Sequence, residues 1–304
     1  MCTRLAFSCL AAVAALASCG KDAASGDSDP AADAAIDDVP AGYTRLLGST
    51  WQLPVGANVY KCVRVTFAEA MYITSFSTDA PAGTHHAVLA LADDTTAGPD
   101  GERDCDGGTI GKIMLYASSV GTAPFELPSG VGLEVAAGQQ LHLNLHLFNP
   151  SDEALAGETA VFAKVQPTPP PTLAEMVLAG PLDISIPSDN QPHAVTGECT
   201  ATSPYTLFAL WPHMHTFAKR QKVELVRGAG ASVLHDKEFR FEEQRYYAVE
   251  PMTDVAAGER IRVTCTFVNN SGNQVTYGDG AFSEMCFSGL YRFPAADSYE
   301  YCGN

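Results

Sequence analysis

The chain has 304 residues, of which 46% are hydrophobic and only 17% are charged, with 26 glycines and 19 prolines. This composition favours an all-β protein with many turns, and the length and hydrophobic content are sufficient for a buried core. The formal net charge is −17. An acidic chain without a basic patch argues against nucleic acid and anionic lipid head groups as partners.

The first residues have the features of an exported lipoprotein. An apolar run from Leu5 to Ala17 follows Arg4 and is too short to span a bilayer. Small residues precede Cys19, so we expect residues 1–18 to be a signal peptide and Cys19 to carry lipid. The alternative is an ordinary secretory signal with a chance cysteine. The glycine after Cys19 favours the outer membrane, or otherwise the periplasm, of a Gram-negative bacterium.

The segment 19–42 lacks the apolar content needed for a core, and we expect a flexible tether. Nine cysteines are present, of which Cys2 and Cys9 leave with the signal peptide. An even number remains for the exported chain, which predicts three disulfides in any of about 15 pairings. These cysteines are Cys62, Cys105, Cys199, Cys265, Cys286 and Cys302.

Short β-rich runs separated by turn residues predict antiparallel β-sandwiches. The runs are 59–67, 86–91, 141–148, 205–215, 222–226 and 260–268. Three consecutive prolines in the segment 166–172 indicate a linker, because such a segment cannot enter a central strand. We therefore predict two tandem jelly-roll-like sandwiches, at 43–165 and 173–304.

Histidines in the first predicted sandwich form two weak signals. On the strand 141–148, the leucines share one face, and His142 and His146 share the other. These two histidines lie about 13 Å apart, so only one can join a given metal site, and a solvated polar face is the alternative. His85 and His86 are adjacent and can reach one ion only where the backbone turns at the start of a strand.

The pair His213 and His215 is a stronger signal in the second predicted sandwich. Residues two apart on a strand point the same way at about 7 Å, so both imidazoles can approach one ion, whereas Met214 points into the core. Trp211 shares the face of the histidines. Met285 near the C-terminus is a candidate metal ligand only beside such a pair of imidazoles, because thioether sulfur favours Cu(I) over zinc.

In chain order, these fragments resemble the copper type II, ascorbate-dependent monooxygenases, which include the peptidylglycine α-hydroxylating and dopamine β-monooxygenases. The resemblance covers about Tyr60 to Cys302. Its fragments are Tyr60-Lys61-Cys62, His85-His86, His146-Leu147-Phe148-Asn149-Pro150, His213-Met214-His215, Cys265-Thr266-Phe267 and Glu284-Met285-Cys286.

The resemblance implies two copper ions in two sandwiches that face each other across a solvent-filled cleft. The electron-transferring site would consist of His85, His86 and His146, and the oxygen-activating catalytic site of His213, His215 and Met285. The implied disulfides are Cys62–Cys105, Cys199–Cys302 and Cys265–Cys286. The reaction implied is hydroxylation of a C–H bond with O₂, in which ascorbate or a similar donor supplies electrons through the two coppers.

Departures from the peptide-hydroxylating relatives bear on the substrate. Trp211 and Phe287 stand where those relatives have an arginine and an asparagine, and Gly289 stands where a tyrosine is expected, with Tyr291 nearby. A peptide carboxylate is therefore a poor fit. Trp211 and Phe287 predict a small apolar or aromatic substrate.

Two other interpretations remain at this point. The chain could be a non-catalytic, lipid-anchored copper-binding protein, or a surface adhesin or glycan-binding sandwich with incidental histidines. We expect no obligate protein partner. His193 and His235 are predicted to be surface residues.

Overall fold

The computed structural model describes residues 39–92, 97–107, 113–241, 245–280, 282–296 and 301–303. The expected signal peptide, Cys19 and the tether up to residue 38 lie outside these ranges. All regular structure in the described residues is β-strand or bridge. These residues contain no helix long and apolar enough to cross a membrane.

The strands of the N-terminal half are β1 (Thr44–Leu53), β2 (Asn58–Thr66), β3 (Met71–Asp79), β4 (Thr84–Leu91), β5 (Gly101–Cys105), β6 (Ile113–Ser118), β7 (Phe125–Glu126), β8 (Val131–Val135), β9 (Gln140–Phe148) and β10 (Leu155–Gln166). One sheet has the order β5-β2-β9-β4-β6. The other begins β1-β10-β3-β8, with β7 beside β3.

The strands that follow are β11 (Thr172–Leu173), β12 (Glu175–Ala179), β13 (Ser185–Ile186), β14 (Pro192–Thr200), β15 (Tyr205–Met214), β16 (Ala218–Arg227), β17 (Gly230–Glu238), β18 (Tyr247–Val255), β19 (Arg260–Val268), β20 (Val275–Thr276), β21 (Cys286–Phe293) and β22 (Tyr301–Cys302). The C-terminal half contains the sheets β18-β15-β21-β12-β22 and β14-β19-β16-β17, with a small pair β13-β20. The predicted all-β, sandwich-like architecture is confirmed.

The proline-rich segment follows β10 and leads into β11, which pairs in parallel with β8 of the N-terminal half. Pro170 is buried and lies close to Gly132, where an added Cβ would approach its ring at 3.0 Å. The chain therefore stays attached to the N-terminal sheet until Leu173, before it enters the sheets of the C-terminal half. A domain boundary at 166–172 stays a prediction.

Alternation along β9 follows the sequence pattern. Leu141, Leu143, Leu145 and Leu147 are fully buried in the core of the N-terminal half. The opposite face is also covered, since His142 is 1% exposed and His146 is 3% exposed. The alternative of a solvated polar face is therefore wrong, because side chains from neighbouring segments pack over it.

Strands β15 and β21 have two apolar faces. Leu210 and Met214 point into the core of the C-terminal half, whereas Trp211 and Tyr291 belong to a core shared with the N-terminal half. The Tyr291 hydroxyl donates a hydrogen bond to the carbonyl oxygen of Leu115 at 3.0 Å. The halves thus share one continuous apolar core through this face.

All three disulfides that the resemblance implies are present. Cys62–Cys105 joins β2 to β5, and Cys199–Cys302 joins β14 to β22. Cys265–Cys286 joins β19 to β21 and so connects the two main sheets of the C-terminal half.

Candidate metal centre

A backbone irregularity at the start of β4 allows two adjacent histidines, His85 and His86, to lie close to the same neighbour, His146. Thr84 pairs with Leu147 and His86 pairs with His146, so the register shifts across His85. Such a β-bulge places two residues of one strand opposite a single residue of its neighbour. The expected turn of the backbone at the strand start is therefore a β-bulge.

Gly83 makes the close approach before this bulge possible. Its φ of 106° lies in a region that side chains rarely adopt, and a Cβ there would lie 2.7 Å from the Trp51 ring. Glycine therefore lets the chain pass over Trp51 into β4.

The three histidines of the N-terminal half converge. One ring nitrogen from each of His85, His86 and His146 lies within 4.8 Å of the others. Their ring centroids are 4.9–5.1 Å apart. We call these residues the N-terminal histidine group, and the structure brings together the set predicted from the sequence.

Neighbouring side chains on β2 hold His146 in place. Its Nε2 donates a hydrogen bond to Asn58 Oδ1 at 2.7 Å, and its ring stacks on Tyr60 at 4.2 Å. With Nε2 protonated, the Nδ1 lone pair is left to bind a metal.

In the C-terminal half, His213 lies on β15 and His215 follows the end of that strand. Their ring centroids are 5.2 Å apart, and His213 stacks on Trp211 at 4.9 Å. Met214 between them is fully buried in the C-terminal core, as predicted.

Strand register puts Met285 on the face of this pair. Cys286, the first residue of β21, pairs with Met214, and Phe287 pairs with His213. Met285 immediately precedes β21, so continuing this register by one residue brings it opposite His215, on the face that Phe287 and His213 share. Met285 is 2% exposed and belongs to the core shared by the two halves, whereas Cys286 points to the C-terminal core. We call His213, His215 and Met285 the C-terminal ligand group.

Glu284 is a supporting residue that the sequence analysis missed. Its buried carboxylate accepts hydrogen bonds from the backbone N–H of His215 at 2.9 Å and of Phe217 at 2.7 Å. His215 Nδ1 also lies 3.1 Å from the carbonyl oxygen of Ser283. An Nδ1–H that donates to this oxygen leaves Nε2 for a metal. The only available signal was the position of Glu284 within the Glu-Met-Cys fragment.

The two groups are in direct contact. The ring centroids of His86 and His213 lie 6.2 Å apart, and Phe241 contacts His85 at 4.0 Å and His215 at 6.4 Å. The solvent-filled cleft that the resemblance implies between the two sites stays a prediction.

Comparison with known proteins identifies the C-terminal half. Residues 172–304 match the family described as copper type II ascorbate-dependent monooxygenase, C-terminal domain. The C-terminal half, over these residues, therefore belongs to the copper type II, ascorbate-dependent monooxygenase family. The general class of chemistry is therefore that of a copper oxidoreductase that uses ascorbate and O₂.

No curated protein matches the chain. Among solved structures, allantoicase is 12% identical, with 80% of each chain covered and a TM-score of 0.22. The major capsid protein P2 of bacteriophage PM2 is 8% identical, with 81% of this chain and 96% of that chain covered and a TM-score of 0.29. Likenesses this low carry no argument about fold or function.

The imidazoles of the N-terminal histidine group fit a copper site. Burial lowers the pKa of His85 to about 3 and of His146 to about 4, with a further decrease from neighbouring imidazoles. Burial also holds the pKa of His86 well below its ordinary value, and His86 Nδ1 has no hydrogen-bond partner among the described residues. Neutral imidazoles with free lone pairs are the form that binds metal.

The two predicted substrate contacts are buried. Trp211 is 1% exposed and stacks on His213, whereas Phe287 is 4% exposed and packs near Tyr277 and Tyr301. Neither ring presents a free surface in this arrangement, so their contact with substrate stays a prediction.

The remaining predicted surface histidines differ from each other. His193 is partly exposed and pairs with Asp189 at 2.8 Å. The prediction for His235 is wrong, because its ring is 5% exposed and packs at 4.5 Å from Tyr247. The sequence of β17 does not indicate this burial, because it does not show that Tyr247 covers His235.

Replacing Asn58 with alanine is expected to weaken copper binding at the N-terminal histidine group by about 10–100-fold, because His146 loses the acceptor that fixes its tautomer. Asn58→Asp keeps an acceptor and should retain most of the affinity. Competition titration with a copper chelator measures both. Equal affinities for the alanine variant and the unaltered protein would contradict this role.

Proposed function

We propose that the chain is a copper-dependent monooxygenase that hydroxylates a C–H bond of a small apolar or aromatic substrate, with O₂ and a reductant such as ascorbate. The observation that carries the proposal is the convergence of His85, His86 and His146 within reach of one ion, in a chain whose residues 172–304 match the copper monooxygenase family. The neighbouring rings of His213 and His215 support a second site. An imidazole trio tolerates both copper oxidation states, and a thioether beside two imidazoles favours Cu(I).

Each group has a separate role in this proposal. His85, His86 and His146 would hold the copper that receives electrons, and His213, His215 and Met285 would hold the copper at which O₂ reacts. When bound, the two coppers would supply one electron each, and these, with two protons and the two electrons of the C–H bond, reduce O₂ to one alcohol oxygen and one water. The protein orients the ligands through Asn58 and Glu284 and excludes water by burial.

The location of the protein is also a proposal. The sequence of residues 1–42 supports an exported protein anchored by lipid at Cys19, in the outer membrane or periplasm of a Gram-negative bacterium. Its partners would be a small-molecule substrate and the membrane, with no nucleic acid and no obligate protein partner.

The test is a copper count combined with X-ray absorption of the Cu(I) protein. We expect two coppers per chain and a sulfur neighbour that disappears in Met285→Leu. His213→Ala should lower the count to one, whereas His193→Ala, which changes a histidine outside both groups, should leave it at two. A chain that binds no copper would overturn the proposal.

Oxygen consumption then separates catalysis from copper binding alone. Ascorbate-dependent consumption that rises with an apolar or aromatic substrate and is lost in His213→Ala supports the monooxygenase. Two bound coppers without substrate-dependent consumption across a panel of phenethyl-type and aliphatic compounds would support the non-catalytic copper-binding alternative.

A further inference from the structure

Two stretches of the chain repeat each other in sequence and in turn structure. Residues 135–151 and 255–271 both begin with Val-Ala-Ala-Gly and both end in Asn-x-Ser. The first contains β9 and the second β19, and each strand leads into a fully buried asparagine, Asn149 or Asn269. Each asparagine side chain donates to the carbonyl oxygen four residues later and accepts from the backbone N–H two residues later. The two strands therefore end in the same turn.

Strand register extends the equivalence to the positions of the N-terminal histidine group. β9 pairs with β2 and β4, and β19 pairs in the same registers with β14 and β16. The register shift at His85 recurs at Lys219. The N-terminal half has Asn58, Tyr60, His85, His86 and His146 at these positions, and the C-terminal half has Pro192, Ala194, Lys219, Arg220 and Thr266. The C-terminal half thus repeats this backbone without the histidines, and it serves as an internal reference for the role of the turn.

Asn149 joins the end of β9 to the turn between β1 and β2. Its side-chain amide donates hydrogen bonds to the carbonyl oxygens of Leu53 and Pro54, each at 3.1 Å. Its backbone N–H donates to the carbonyl oxygen of Ala57 at 2.9 Å. Because Ala57 directly precedes Asn58, these bonds fix the backbone from which the Asn58 side chain extends.

Asn58 transmits this constraint to the metal centre. Its Oδ1 accepts the hydrogen bond from His146 Nε2 at 2.7 Å. Asn58 is exposed, so burial contributes little to holding its side chain, and the position of its backbone decides where the acceptor lies. An acceptor on one ring nitrogen sets the tautomer and the orientation of a metal-binding imidazole.

We propose that Asn149 is a positioning residue of the N-terminal histidine group. It holds the turn between β1 and β2 so that Asn58 selects the His146 tautomer whose Nδ1 is left for a metal. The inference deepens the proposed copper function, and its metal readout rests on that function.

Asn269 provides a matched control from the same chain. Its amide donates to the carbonyl oxygens of Ile186 at 3.0 Å and Asn273 at 2.8 Å, so it fixes the corresponding turn of the C-terminal half. The position of Asn58 is taken there by Pro192, whose side chain has no hydrogen-bond acceptor. Asn269 therefore shares the structural role of Asn149 without a histidine to position.

The first test uses the metal-free full chain labelled with ¹⁵N and identifies histidine tautomers from the ¹H–¹⁵N correlations of the imidazole rings. The His146 signals, assigned by their loss in His146→Phe, should show a single Nε2–H tautomer in the unaltered protein. Asn149→Ala should give a mixture of tautomers, whereas Asn269→Ala should keep the single form. Because no metal is needed, this result tests the inference even if the chain binds no copper, an outcome that would overturn only the proposed function.

The second test measures copper affinity by chelator competition in the His213→Ala full chain, where the N-terminal histidine group is the site that remains. Asn149→Ala should weaken binding by about 10–100-fold, and Asn269→Ala should leave it unchanged. Both variants leave buried carbonyl oxygens without a donor, so denaturant unfolding should show comparable losses of stability. In a chain that already carries Asn58→Ala, adding Asn149→Ala should weaken binding little further, because Asn149 acts through Asn58.

Three results would overturn the inference. These are a single His146 tautomer in folded Asn149→Ala, equal losses of copper affinity in both asparagine variants, or additive losses when Asn58 and Asn149 are replaced together. If Asn149→Ala does not fold, Ser151→Ala and Ser271→Ala replace the pair, since each serine hydroxyl donates to its asparagine Oδ1. Ser151→Ala alone should then populate the second His146 tautomer, and identical spectra for the two serine variants would contradict the positioning role.

Discussion

Replacing Glu284 with alanine is expected to destabilise the fold and to weaken copper binding at the proposed site of the C-terminal ligand group. The variant leaves the buried N–H groups of His215 and Phe217 without their acceptor, at a cost of about 1–3 kcal/mol for each. Because the turn that carries His215 is then released, copper affinity at this site should fall by about 10–100-fold. Denaturant unfolding and copper competition measure the two effects.

Two control variants make this prediction specific. Glu284→Gln retains one acceptor oxygen in a similar shape and should lose less stability and less affinity than alanine. Glu69→Ala, at an exposed position between β2 and β3, should change stability by less than about 0.5 kcal/mol. If the Glu284→Ala protein kept its stability and its copper affinity at the C-terminal ligand group, the carboxylate would not be what positions His215.

Removing the Cys265–Cys286 disulfide by a double serine substitution is expected to cost about 3 kcal/mol of unfolding free energy. The bond closes a loop with a sequence separation of 21 residues, and its loss raises the conformational entropy of the unfolded chain. Both cysteines are fully buried, so the serine hydroxyls add a further cost. Because Cys286 is adjacent to Met285, we also expect a weaker sulfur signal from the copper site by X-ray absorption.

A matched variant lacking Cys62–Cys105 separates the two effects. That bond joins strands of the N-terminal half, so its double serine variant should be destabilised while the copper–sulfur signal is kept. If both variants lost the sulfur signal equally, general loosening of the fold, rather than local support of Met285, would explain the result.

Alternation along single strands made much of the fold predictable. It placed the leucines of β9 in a core and set His213 and Met214 on opposite faces, because side chains of a strand project in turn to each side of the sheet. The disulfide pairing followed only from the family resemblance, since spacing alone leaves all pairings open. The gathering of His85 with His146 likewise depended on the resemblance, because the bulge cannot be located from the sequence alone.

Contacts between distant segments could not be predicted. A strand pattern gives the direction of a side chain but not the segment that covers it. Glu284 supports His215 through backbone N–H groups that have no sequence signature. No sequence pattern shows that Phe241 contacts His85 or that the Tyr246 hydroxyl accepts a hydrogen bond from Ala117. The contact of His235 with Tyr247 has no sequence pattern either.

The apolar face of β15 and β21 has a consequence for engineering the chain. Trp211, Phe208 and Tyr291 are covered by side chains of the N-terminal half, so an isolated C-terminal fragment would expose a broad aromatic surface to water and tend to aggregate. Chimaeras with relatives should therefore exchange both halves together, or transplant the aromatic partners that cover this face. A single-half fragment would be a poor reagent for studying either proposed copper site.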